Sequence, residues 1–257
     1  MIQKALAEPR RLGLLVPASD MVSEVDFHNH LPPSVVFYTA RLHQPQDSGI
    51  GTAANYQGLV DSAPDAAKSV ALANPELLVY SCTSGSFFKG PDWHRELSDL
   101  LERSSGIPAI TTSTAVLTAL AALGARTVFL ASPYPDSVNQ AEADFLKSHG
   151  FQITAVLNFG CTKSKEIFAI TPEQIVDAVL ARCDEVKQND VLFLTCTGLR
   201  SVDVVATLER ELDRPVITSN STALWLALVR LGVDMSKVKA GCLFQLRPDC
   251  SRLKTAV

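Results

Sequence analysis

The chain has 257 residues, 47% of them hydrophobic and 19% charged, with a formal net charge of −4. That composition is that of a folded globular protein; it excludes a disordered chain, and it provides no basic excess for binding nucleic acid. No apolar run reaches the roughly 18 residues of a membrane span, and Glu8, Arg10 and Arg11 interrupt any signal-peptide core, so no membrane partner and a cytoplasmic location are expected.

The first apolar run is "LGLLVP" (12–17), followed by "SVVFYTARL" (34–42), "ELLVYSC" (76–82), "PAITT" (108–112), "TVFLAS" (127–132), "QITAVLNF" (152–159), "DVLFLTC" (190–196) and "PVITS" (215–219). These runs are short and mostly apolar on both faces, the pattern of parallel strands covered by helices. Helix-period stretches separate them. "NYQGLVDSAPDAAKSVALAN" is expected to break at Pro64, and "DWHRELSDLLERSSG" to stop at Gly106. Strand–helix alternation throughout predicts an α/β fold with right-handed crossovers.

The chain also echoes itself. "PAITTSTAVLTALAALGA" begins at Pro108 and "PVITSNSTALWLALVRLGV" at Pro215; from Ser113 and Ser221 they align without a gap. The runs ending at Cys82 and Cys196 precede these segments in the same order and at nearly the same offset. Two similar α/β halves follow.

Six cysteines occur: Cys82, Cys161, Cys183, Cys196, Cys242 and Cys250. None lies in a CxxC or a zinc-type Cys/His cluster, so no metal site is expected. Four read as buried free thiols. Cys82 and Cys196 differ, because each ends a strand and is followed by small polar residues: Thr83, Ser84 and Gly85 in one case, Thr197 and Gly198 in the other. Ligands of open parallel sheets bind at those strand ends, and such turns offer N–H groups and hydroxyls to an anion. Facing halves would present two thiols to one cleft. One could take a proton from a carbon beside a carboxylate, or attack that carbon, while the other returns a proton from the opposite side. A helix N-terminus would lower the thiol pKa for this work.

At these residues the sequence resembles the aspartate/glutamate racemase superfamily, in particular its maleate cis–trans isomerase and arylmalonate decarboxylase branch. "GLLVPASDMVSE" is similar to the first-strand motif of maleate isomerases, with Pro17, Ser19 and Glu24 matching and Asp20 in place of a substrate-binding Asn. "CTSGSFFKG" resembles the decarboxylase segment, in which Gly stands at the position of Cys82. "TTSTAVLTALAALGARTVFLASPYPDSVN" resembles both groups and puts Tyr134 where a substrate-binding tyrosine stands. "LTCTGL" resembles the second-cysteine motif. The resemblance implies two pseudo-symmetric Rossmann-like (flavodoxin-like) halves, each a four-stranded parallel sheet, with the active site between them. Residues 1–113 would form one half, with 221–257 packing back on it, and 114–220 the other. It implies no cofactor, Cys82 and Cys196 as the reacting pair, and a carboxylate held by Thr83, Ser84 and Tyr134 with the backbone at Thr197 and Gly198.

Two cysteines favour a racemase or cis–trans isomerase. A decarboxylase needs one proton donor, Cys196, and space where Cys82 stands. A non-catalytic carboxylate-binding protein is the alternative of another class. Asp20 would repel a dianion; it suits either an ammonium group or the N-cap of the first helix. Arg41, the loop "SGIGT" (48–52), the pair His28 and His30, and the aromatics Phe87, Phe88 and Trp93 are weaker candidates, each with an ordinary surface or core role open to it. A homodimer, the commonest closed assembly, stays open.

Overall fold

The structure, a computed structural model, describes residues 8–45 and 49–246. In chain order the elements are β1 (Arg10–Pro17), α1 (Ser23–His30), β2 (Val35–Leu42), α2 (Ala53–Ala71), β3 (Leu77–Tyr80), α3 (Thr83–Phe87), α4 (Trp93–Ser105), β4 (Ala109–Thr111), α5 (Thr112–Ala122), β5 (Thr127–Ser132), α6 (Asp136–Ser148), β6 (Gln152–Asn158), α7 (Ser164–Ala169), α8 (Pro172–Leu180), α9 (Cys183–Lys187), β7 (Val191–Leu194), α10 (Val205–Leu212), β8 (Val216–Thr218) and α11 (Ser219–Leu231). They form two four-stranded sheets, ordered β2-β1-β3-β4 and β6-β5-β7-β8. Every strand pairing is parallel. The two orders are the same permutation, so the echo in the sequence is an echo in topology.

Burial explains the composition of the strands. β3 and β7 are internal, and all their residues are buried; a strand covered on both faces needs no polar alternation. The edge strands β2 and β6 are half exposed. One apolar cluster contains residues of both sheets and of α5, α6 and α11. A second lies between the first sheet and α2 and α4.

The repeated "Pro-x-Ile-Thr" ends in a cap. Thr111 accepts the N–H of Thr114 at 3.2 Å, and Thr218 accepts that of Ser221 at 2.9 Å. Each strand therefore turns into its helix with no intervening loop, one free N–H of the first turn being satisfied at once. The two helices, α5 and α11, pack on each other, and α11 also lies against β3 and α1. It is buried along nearly its whole length.

One expectation fails. α2 does not break at Pro64 but runs through it. An internal proline costs a helix about 3 kcal/mol. Here Tyr56, Leu59, Val60, Ala63, Ala67 and Val70 bury the face that carries the helix across that site, and large apolar side chains return about 1.5–3 kcal/mol each. No helix among the described residues is long and apolar enough to cross a membrane.

Candidate active site

Both β3 and β7 stop two residues short of their cysteine, so Cys82 and Cys196 occupy equivalent positions beyond the sheets. They line a single cleft of about 60 Å³, together with Ser19, Asp20, Ser84, Thr197, Gly198 and apolar residues that include Ile50, Ile167 and Phe168. That space holds a few waters or one small acid. Among the described residues lining it, none is lysine, arginine or histidine, so an anion there would be met by N–H and O–H dipoles.

The cysteines reach the cleft differently. Cys82 has extended backbone and precedes α3. Cys196 has φ +88°, a left-handed geometry that costs a non-glycine residue about 1–3 kcal/mol and is usual at functional sites. The turn after it is fixed from α11: Ser219 Oγ accepts the Cys196 N–H at 2.9 Å and the Thr83 hydroxyl at 2.8 Å. One hydroxyl thus ties both cysteine turns together. Next to it, Asn220 Nδ2 donates to the Thr197 carbonyl at 2.9 Å and to Asp26 Oδ2 at 2.7 Å.

The expected lowering of the thiol pKa values is not found. Burial pushes Cys82 up to about 11, although the Gly85 N–H and the Ser84 hydroxyl favour its thiolate. Burial pushes Cys196 up to about 12, against the Tyr134 hydroxyl and the Gly198 N–H; Asp20 and Cys82 push it further the same way. α3 has five residues and a small dipole, and desolvation of the charged thiolate outweighs it. At these values both thiols carry protons at neutral pH.

The other predicted residues divide. Ser84, Thr197 and Gly198 line the cleft beside the thiols, and the Ser84 hydroxyl is also paired with Tyr56. Thr83 lies behind the wall with its hydroxyl given to Ser219. Tyr134 is buried, and its hydroxyl is directed at Cys196. Asp20 lines the cleft yet faces inward. Its Oδ1 accepts the N–H groups of Val22 and Ser23, and its Oδ2 the Ser23 hydroxyl, all at 2.8 Å, with the Thr197 hydroxyl also in reach. The carboxyl of Asp20 therefore organises the start of α1 and has little capacity left for an ammonium group.

Of the weaker candidates, only "SGIGT" contributes a described residue to the lining of the thiol cleft. Arg41 is held by Glu24 and by the carbonyls of Ala18 and Asp20. His30 lies 3.3 Å from Asp203, and no group of three or more possible metal ligands occurs among the described residues. Phe87 stacks on Phe145, and Phe88 packs on Tyr56 and Trp93. Trp93 Nε1 donates to the Gly85 carbonyl at 3.0 Å and so supports the Cys82 turn. Of "SGIGT", Ser48 lies outside the described residues, but Ile50 covers the cleft and its N–H donates to Thr162 across it at 2.9 Å. Cys161, Cys183 and Cys242 are half-buried rather than buried, and Cys250 lies outside the described residues. The sequence reading missed Ser219, Asn220, Glu142 and Tyr56; only Ser219 and Asn220 had a signal, as the two residues between "PVIT" and the echoed Ser-Thr-Ala.

Known proteins are similar to this chain over most of its length. A maleate isomerase of Nocardia farcinica is 28% identical over 250 residues, covering 93% of this chain and 96% of that protein. Arylmalonate decarboxylase of Bordetella bronchiseptica is 29% identical over 232 residues, 90% of this chain and 93% of that protein. The solved Nocardia farcinica maleate cis–trans isomerase bound to TRIS superposes with a TM-score of 0.83 at 23% identity, covering 91% of this chain and 97% of that one. The family model described as arylmalonate decarboxylase matches residues 12–244. With nine-tenths of its length matched and the paired cysteine turns in place, the chain belongs to the arylmalonate decarboxylase family.

Proposed function

We propose that the protein is a cofactor-independent isomerase, a racemase or a maleate-type cis–trans isomerase, acting on a small carboxylate or dicarboxylate. The observation that carries this reading is that two thiols in equivalent strand-end positions line one cleft. Ser84 and the N–H groups of the Thr197–Gly198 turn would hold a carboxylate. Charge building on it would be stabilised by fixed dipoles, whose individual removal typically costs about 2.7–4 kcal/mol of barrier.

Cys82, whose turn directs the Gly85 N–H and the Ser84 hydroxyl toward its sulfur, is assigned as base or nucleophile, with Cys196 as acid. In racemisation, the Cys82 thiolate takes the α-proton and the Cys196 thiol delivers its proton to the other face. In cis–trans isomerisation, the Cys82 sulfur bonds to one alkene carbon while the Cys196 proton goes to its neighbour; rotation and the reverse step restore both groups. Structures of variants of these relatives bear on the two cysteine positions. A cysteine-to-serine variant of the Nocardia farcinica isomerase carries a covalently bound succinylcysteine intermediate. A liganded variant of arylmalonate decarboxylase combines a glycine-to-cysteine with a cysteine-to-serine change.

The second reading is an arylmalonate-type decarboxylation with Cys196 as proton donor, favoured by the family match itself. The test is a panel of maleate, chiral 2-substituted carboxylates and arylmalonates. Loss of optical rotation or formation of fumarate, without CO2, is expected. Release of CO2 from an arylmalonate would overturn the isomerase assignment.

A further inference from the structure

The two cysteine turns are held in different ways. After Cys82 the chain enters α3 at once, and helical backbone directs the Gly85 N–H at the sulfur. After Cys196 no helix begins before a short 3-10 turn at Val202–Val204, yet the Gly198 N–H also serves its sulfur. That N–H needs another constraint. It shares a planar trans peptide group with the Thr197 carbonyl, and the two point in opposite directions. The Thr197 carbonyl accepts Asn220 Nδ2 of α11 at 2.9 Å, which turns the Gly198 N–H the other way, toward the thiol.

An amide side chain can hold that carbonyl only with its nitrogen forward, because a half-turn of the group would set oxygen against oxygen. The choice falls to Asp26. This buried residue of α1 accepts Asn220 Nδ2 on its Oδ2 at 2.7 Å, so both amide hydrogens of Asn220 are committed. The Asn220 oxygen adds little. The Ser23 hydroxyl lies 3.4 Å from it, and Ser23 also donates to Asp20 Oδ2 at 2.8 Å. Burial raises the Asp26 carboxyl to about 7, and either form retains an oxygen that can accept the amide. The contact therefore does not depend on its charge.

We propose that Asp26 is a positioning residue: through Asn220 it fixes the Thr197–Gly198 peptide so that the Gly198 N–H faces the Cys196 sulfur and the cleft. A side chain of the first half thus sets a donor in the second. The inference rests on the two-thiol reading only for its use in the reaction, where the donor would stabilise the sulfur that Cys196 leaves when it gives up its proton. The geometry itself exists without substrate.

The test is alkylation of the whole protein by iodoacetamide without substrate, read separately for the Cys196 and Cys82 peptides by mass spectrometry. Cys82 is the internal control, since the groups that shift it include neither Asp26 nor Asn220, and Asp20 acts on both thiols alike in direction. At about pH 9, Asp26→Ala should lower the Cys196:Cys82 rate ratio at least about threefold, because the Cys196 thiolate loses an aligned donor. Asp26→Asn, which removes the charge but keeps an acceptor oxygen, should stay within about twofold of the native ratio. Asn220→Ala should lower the ratio as Asp26→Ala does, and combining the two should bring no further fall, as for groups acting in series. A native ratio in either alanine variant, an Asp26→Asn ratio as low as that of Asp26→Ala, a further fall in the double variant, or an equal change in both peptides would each overturn the proposal. None of these outcomes touches the isomerase reading, which stands or falls on turnover.

Discussion

Cys196 holds φ at +88°, a geometry glycine adopts freely and other residues do not. The strain is local to the backbone, so it persists in Cys196→Ala and disappears in Cys196→Gly. We expect the glycine variant to be the more stable of the two by about 1 kcal/mol, measured by urea denaturation, with both variants inactive. Equal midpoints would mean the turn is not strained. Gly85 has the opposite constraint. A β-carbon there would meet the Tyr80 hydroxyl at 2.8 Å and Cys82 Sγ at 3.0 Å. Gly85→Ala should destabilise the fold by about 1–3 kcal/mol and displace the reacting sulfur, lowering turnover at least tenfold; a variant with native turnover would show that Cys82 tolerates the shift. Sequence alone identified the two cysteines, because strand-end position and repetition are local facts. It gave the wrong sign for their pKa values, because burial depends on what the rest of the chain packs over them.

At the scale of elements, the first turn of α11 organises the site. Ser219 and Asn220 leave β8 and reach, within two residues, the Thr83 hydroxyl, the Cys196 N–H, the Thr197 carbonyl and Asp26. Ser219→Ala would leave the Cys196 N–H and the Thr83 hydroxyl buried without partners, at about 1–3 kcal/mol per group. We expect a lower urea midpoint and a fall in kcat larger than any change in KM, since the carboxylate donors of Ser84 and Gly198 remain. A fall confined to KM would place Ser219 in substrate binding instead. The echo in "PAITTSTA" and "PVITSNSTA" made the helix starts readable. The extra residue in the second copy, which makes room for the Ser219–Asn220 pair, was visible but had no meaning until α11 was seen crossing to β3 and α1. Glu142 and Tyr56 gave no local signal at all, since a single Glu or Tyr in a helical stretch looks like any surface residue. Pro64 misled for the same reason: the packing that carries α2 through it is tertiary.

For the whole molecule, two matched sheets meet over a cleft that small contacts hold shut. The Ile50 N–H reaches Thr162, and the Ser19 and Ser164 hydroxyls meet at 2.9 Å. The closed, water-poor interior has a thermodynamic signature. Glu142 is raised from 4.5 to about 8 and Asp26 from 3.8 to about 7, both chiefly by burial. Each is protonated in the folded chain at pH values where the unfolded chain has ionised it. Folding then takes up protons, so the stability these groups contribute is full below pH about 4 and is lost as pH rises toward 7 and 8. The slope has a ceiling of about 1.4 kcal/mol per pH unit for each group. Glu142→Gln should therefore gain stability over the native protein progressively between pH 5 and 8 in urea titrations. A constant difference across that window would place the native carboxylate in the charged form.

The central claim is that one substrate is worked on by two thiols from two halves, and hydrogen exchange into a chiral 2-substituted carboxylate in D2O tests it most directly. Incubated with a carboxylate that the intact protein turns over, the protein should wash deuterium into the α-carbon, and Cys82→Ala and Cys196→Ala should each reduce that exchange by at least about a hundredfold, the scale of a lost acid–base group. Exchange that survives in either single variant at near-native rate would contradict the account, because one thiol would then be doing the work assigned to both.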